Sequence, residues 1–189
     1  LQALRRELAG VIDGTSEIMV MAELATPRES RVLERGRYDR PMQVVQPGTP
    51  ERIYAFPVDL PPNRLGLAAW VTDPEHPLTA RVAVNRLWSI VFGRGIVATS
   101  EDFGSQGMRP THPELLDQLA LDFIQSDWDV KAMLRRFVLS STYRQASAGT
   151  PESRVIDPEN SLLSRGPSDR LTAEMVRDQA LAASGLLVG

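Results

Sequence analysis

Three side chains suited to proton transfer, Asp102, His112 and Glu114, fall within the stretch EDFGSQGMRPTHPELL, residues 101–116. Two carboxylic acids and an imidazole can divide acid–base work, one group taking a proton while another gives it. As oxygen and nitrogen donors they could also hold a metal ion, but their spacing follows no established ligand pattern, so no metal is expected. Just upstream, Arg81 and Asn85 are four residues apart and share a helical face, with Arg86 beside that line. Together with Gln106 they form a candidate ligand-binding set, a polar pocket for a sugar or a carboxylate. The plainer reading is that Arg81 and Arg86 pair with Glu101, Asp102 or Glu114 and fix the loop by bidentate hydrogen bonds. A catalytic pair needs a set separation and shifted acidity as well as the right residue types.

Other groups carry weaker signals. Arg144, Arg165, Arg170 and Arg177 sit among Glu174 and Asp178, a mixed-sign face that suits helix-to-helix ion pairing better than a site for sulfated or uronic polysaccharide. Ser140-Ser141-Thr142 lacks a nucleophile elbow and reads as helix-end hydroxyls bonding to carbonyls. Trp70, Trp88 and Trp128 each sit in an apolar helical context that predicts core packing rather than a sugar platform. His76, between Glu75 and Pro77, reads as a helix-start residue. Phe103 is expected to plug the loop into the core, with Gly104 and Gly107 allowing the turns.

The elements that must hold these groups are mostly helical. Pro77 suits the first turn of a helix from Leu78 to Phe92, stopped at Gly93. Thr111-His112-Pro113-Glu114 reads as a T-x-x-E capping box opening a helix with the stripe Leu115, Leu116, Leu119, Ala120, Phe123 and Ile124. Asp129 is placed to cap the next helix, where Val130, Met133, Leu134, Phe137 and Val138 repeat the pattern. Asp157-Pro158-Glu159 reads as a further helix start, and a last helix spans 170–184 before Gly185. Upstream, Leu1, Leu4, Leu8 and Val11 recur at helical spacing, and Ser16–Glu23 reads as a short strand with Ser30–Leu33 as its candidate partner. Six prolines between Arg35 and Asn63 predict an extended connection without regular structure. Arg64–Val71 reads as a short apolar helix. The fold expected is mainly α. Residues 1–63 form a small β-leaning, proline-rich segment led by a helix, and 64–189 form the helical domain.

Composition bounds the function. At 189 residues and 42% hydrophobic, the chain can bury one sizeable core. A net charge of -3 disfavours a nucleic-acid partner, although 20 of the 21 cations are Arg and Lys131 is the single Lys. With no cysteine, the chain can hold neither a disulfide nor a zinc–thiolate site, an iron–sulfur cluster or covalent haem, so it is expected to carry no cofactor of its own. No apolar run reaches the roughly 18 residues that a membrane span needs, and LQALRRELAG has no signal-peptide pattern. The apolar LLVG ending reads as the cut end of a longer protein.

Several stretches, taken in order, are similar to one family: DPEHPLTARVAVNRLW (73–88), FGRGIVATSEDFGSQGMRPTHPELLDQLA (92–120), the segment from Val130-Lys131 through SSTYRQAS (140–147), DPENSLLSRGP (157–167) and RLTAEMVRDQALAASGLL (170–187). They resemble the planctomycete cytochrome-c-associated domain of unknown function (domain of unknown function 1553, PSD family), with the resemblance covering 18–189. The resemblance implies a large exported parent, periplasmic or at the cell surface, with haem c on another domain and a pattern that continues beyond Gly189. It implies neighbouring domains of the same polypeptide as partners, and it supplies no catalytic residues. The leading expectation is a non-catalytic scaffolding or interaction module, with polysaccharide handling suggested by the family's associated modules alone. The alternative is a carbohydrate-active enzyme domain using Asp102, His112 and Glu114. Paired and buried loop charges favour the first, and an open cleft with Arg81 and Arg86 unpaired favours the second.

Overall fold

The computed structural model describes residues 2–14, 18–24, 26 and 28–188. Helix α1 (Gln2–Asp13) opens the chain and leaves Leu4, Leu8 and Ile12 exposed; Leu1 of the expected stripe lies outside the described residues. Strands β1 (Ser30–Leu33) and β2 (Pro41–Val45) then form an antiparallel hairpin, with Ser30 opposite Val45, Arg31 opposite Val44 and Leu33 opposite Pro41.

This hairpin corrects two expectations. The described part of the anticipated first strand, residues 18–23, forms no strand, and residues 16 and 17 lie outside the described set. The partner of β1 comes instead from the proline-rich segment. Arg35 and Gly36 adopt positive φ (50° and 76°) and turn the chain back at once, so the hairpin closes a short loop at small entropic cost. Pro41 is tolerated because it stands at the strand end, where a missing donor matters least. Ion pairs Arg37–Asp39 and Arg40–Glu34 brace the turn.

Helix α2 (Arg64–Val71) starts at Asn63, whose side-chain oxygen accepts the Gly66 amide at 3.0 Å. Its Trp70 is buried and donates from Nε1 to the Tyr54 carbonyl at 3.1 Å. Helix α3 spans Thr79–Phe92 and stops at Gly93, which takes φ +78°. The residue at its N-cap, Leu78, has no side chain that can cap. His76 replaces it: Nδ1 accepts the Leu78 and Thr79 amides at 3.3 and 3.2 Å. The ring lies edge-on to Trp70 with centroids 4.5 Å apart.

Helices α4 (Pro113–Gln125) and α5 (Val130–Leu139) pack on α3 to make the core. Val84 and Trp88 from α3 meet Leu116, Leu119 and Phe123 from α4 and Met133 and Phe137 from α5, with Ile96 and Val97 from the loop. Burial of each such side chain contributes about 1.5–3 kcal/mol, so these contacts hold the fold. Asp129 caps α5 as read, accepting the Ala132 amide at 2.9 Å. Trp128 departs from its helical expectation. It sits in the α4–α5 turn at φ +61°, half-buried, with its ring edge-on to Phe123.

The chain continues through α6 (Pro151–Ile156) and α7 (Ala173–Ala183). Asp157-Pro158-Glu159 does not start a helix. Asp157 closes the end of α6, and its carboxylate takes the amides of Ser161 and Leu162, each at 2.8 Å. An aspartate that bonds amides four and five residues ahead builds a loop rather than a helical turn. Thr172 caps α7 through Met175, later than the expected start at Arg170. No residue of α7 is buried.

Candidate functional site

The loop between α3 and α4 is built around Asn85. This side chain is fully buried, with Oδ1 accepting the Val97 amide at 2.8 Å and Nδ2 donating to the Val97 carbonyl at 3.0 Å and to Ser100 Oγ at 3.2 Å. An amide side chain thus pairs with one backbone residue as a neighbouring strand would. The approach is so close that a Cβ on Gly95 would stand 2.5 Å from the Val97 carbonyl oxygen, closer than real side chains come.

Thr99 and Asp102 then close the next turn. The Thr99 hydroxyl donates to the Asp102 carbonyl at 2.8 Å and accepts the Met108 amide at 2.9 Å. The Asp102 carboxylate accepts the Gly104 amide at 2.7 Å. A Cβ on Gly107 would fall 2.0 Å from the Asp102 carbonyl oxygen, so this crossing needs glycine. Phe103 packs against the core beside this knot, as its position suggested.

The loop's exit differs from the capping-box expectation. Helix α4 begins one residue later, with His112 at the N-cap and no side-chain cap. The Thr111 hydroxyl and amide both bond the Ile96 carbonyl, at 3.3 and 2.9 Å, and a hydroxyl drawn there does not cap the helix. The later start puts Pro113 in the first turn, where its missing donor costs nothing. His112 Nδ1 lies 3.0 Å from Thr111 Oγ1, and Glu114 is exposed in the first turn, where the helix dipole favours it.

The candidate residues are therefore brought together only in part. Arg86 reaches Glu101 at 3.5 Å, both well exposed. Arg81 turns to α4 instead, with Nε donating to Asp117 at 2.7 Å and Nη1 to the Pro77 carbonyl. Gln106 is exposed. Among the described residues no hydrogen bond joins Asp102, His112 and Glu114 to one another. His112 borders a narrow cleft with Trp88, Arg94, Glu159 and Asn160, and neither Asp102 nor Glu114 lines it.

Residues outside the candidate set carry much of the polar architecture. Arg94 pairs with Glu159 across this cleft. In the segment that carries Glu159, Arg165 is buried and donates to the carbonyls of Asp157 and Pro158 at 2.8 and 2.7 Å, while Asn160 grips the Arg165 backbone on both sides. Burial by itself raises the pKa of Asp157. The Leu162 amide, the Ser161 hydroxyl and amide and the Arg165 charge more than reverse that and hold its carboxyl below the usual aspartate range. Tyr54 is pushed the other way, first by burial and then by the Asp73 carboxylate that it donates to. The readable signal for this second polar loop was D-P-E-N-S, a run of side chains that bond nearby backbone. Among the described residues no three His, Asp or Glu side chains are placed to share a metal ion, and no helix is long and apolar enough to cross a membrane.

A family model described as a protein of unknown function (DUF1553), PSD1, matches residues 63–189. The chain belongs to this family. The PSD1 match begins at Asn63, the cap of α2, and takes in the core, the Asn85 loop and the Asp157 loop. No curated protein and no solved structure matches the chain.

Proposed function

We propose that this PSD1 domain is a non-catalytic scaffolding or interaction module that supports neighbouring domains of an exported, cytochrome-c-associated parent, with haem c held elsewhere in that parent. The observation that carries this reading is how the loop's polar groups are engaged. Asn85 is wholly occupied by Val97 and Ser100, Arg81 by Asp117 and Pro77, and Asp102 by Gly104. Groups already bonded to their own chain make a rigid connector and leave little to engage a substrate. Leu171, Val176 and Leu186, in and around α7, are at least half exposed and offer apolar surface to a neighbouring domain. A periplasmic or cell-surface setting, with polysaccharide as the material handled, belongs to the same proposal.

The test is turnover by the purified chain on neutral, uronic and sulfated glycans, with a thermal-shift screen beside it. The scaffold reading expects no turnover. Hydrolysis that disappears in Asp102→Asn or Glu114→Gln would replace it with the carbohydrate-active enzyme reading. That second reading has one observation in its favour: His112 borders a polar cleft with Arg94 and Glu159.

A further inference from the structure

Outside the core, a cavity of about 310 Å³ opens where the N-terminal segment meets the first turn of α2. Its walls are largely apolar, formed by Pro47, Phe56, Pro62 and Leu67. Prolines offer no amide donor, so these walls select hydrocarbon over polar matter. Two further features concern charge and hydrogen bonding. At the mouth, Arg64 Nη1 donates to Glu23 Oε1 at 3.1 Å, and both side chains are more than half exposed. Inside, Thr49 lines the cavity, and its hydroxyl oxygen is buried without a hydrogen-bond partner among the described residues.

Each feature narrows what fits. Arg64 already holds a carboxylate at this position, through one of its five donors, so a second carboxylate arriving there has a guanidinium edge to bind in paired fashion. The Gly66 amide is taken by Asn63, but those of Arg64 and Leu65 have no partner within the helix and add to the preference for negative charge. One arginine, once released from Glu23, balances one negative charge rather than two. The volume is at the small end of ligand cavities.

We propose that this cavity binds a small apolar monocarboxylate, its hydrocarbon part against Phe56 and Leu67 and its carboxylate on Arg64 in place of Glu23. Glu23 is then a resident competitor, belonging to a segment whose residues from 18 to 24 are all exposed. The site stands apart from the Asn85 loop and does not depend on the scaffold reading.

Isothermal titration of the 189-residue chain with octanoate, 1-octanol and octylamine tests this. Octanoate should bind one to one, with 1-octanol and octylamine weaker by about tenfold or more, the scale of a charge-assisted pair. Arg64→Gln should weaken octanoate by a similar factor, and Glu23→Gln should tighten it. Leu67→Trp, which fills the cavity from an exposed helix position, should abolish binding while circular dichroism stays that of the parent chain. The proposal is overturned if octanoate fails to bind at millimolar concentration, or if 1-octanol binds as well. It is equally overturned if Arg64→Gln leaves octanoate unchanged, or if folded Leu67→Trp still takes it up. An unchanged affinity in Glu23→Gln overturns the displacement of Glu23.

Discussion

The connections 93–112 and 157–167 are both tied by polar side chains, yet they place their charges oppositely. In the first, the tie is a neutral amide, Asn85, reaching in from α3, and the acid Glu101 stands in solvent. In the second, the charged groups themselves are buried: Asp157 and Arg165 are 5% and 8% exposed, and both bond within the loop. The loop richer in apparent chemistry is held by its uncharged residue, and the loop that looked like a helix start has the buried charges.

Substitutions can break or sharpen this contrast. Asn85→Ala should cost most, about 4 kcal/mol, because it leaves a void and strands the buried Val97 amide and carbonyl; urea unfolding followed by circular dichroism reads this directly. Asp157→Ala should cost about 3 kcal/mol in the same assay, by removing the acceptor for Ser161 and Leu162 beside a buried guanidinium.

The acid limb separates the two loops further. Asp157 is more acidic folded than unfolded, so its contribution is complete above the ordinary aspartate range and is lost as pH falls through the lower folded value. Asp157→Asn should therefore flatten the acid limb of the stability–pH curve, whereas Asn85→Ala should lower the whole curve without reshaping it.

Smaller effects belong to the first loop's outer turns. Gly107→Ala should cost about 2 kcal/mol, since the added methyl forces the Asp102 carbonyl away. Arg86→Ala should change stability by less than about 0.5 kcal/mol, because its pairing with Glu101 is exposed and long. A larger loss there would mean that the exposed charges of this loop hold it as firmly as the buried ones hold the second.

What could be read from the sequence was local. The stop at Gly93, the cap at Asp129 and the apolar stripes of α4 and α5 depend on neighbours within a turn or two, and spacing reports those. The misreadings share a cause in competition from afar. Thr111 had the spacing of a capping residue, but the Ile96 carbonyl, fifteen residues away, takes its hydroxyl. Ser30–Leu33 had a plausible strand before it, and the turn at Arg35-Gly36 supplied a nearer one after it. For the candidate site, helical spacing placed Arg81 and Asn85 on one face correctly, yet could not assign their partners. Asp117 and Val97 are brought near by the packing of α4 and the course of the loop.

The Asn85–Val97 clamp also works as a ruler. Side chain, backbone and the intervening residues form a closed ring, so the number of residues between the two positions is fixed as firmly as the circumference of a hoop. One residue added between Gly93 and Val97 would carry the amide and carbonyl past the carboxamide that meets them. The tip between Gly104 and Gly107 lies outside that ring, closed by its own bonds from Thr99 and Asp102, so a change of length there leaves the clamp's count untouched. Variation in loop length should therefore fall outside that ring, and the Asn85-to-Val97 interval should keep its count wherever this domain is built on the same helix.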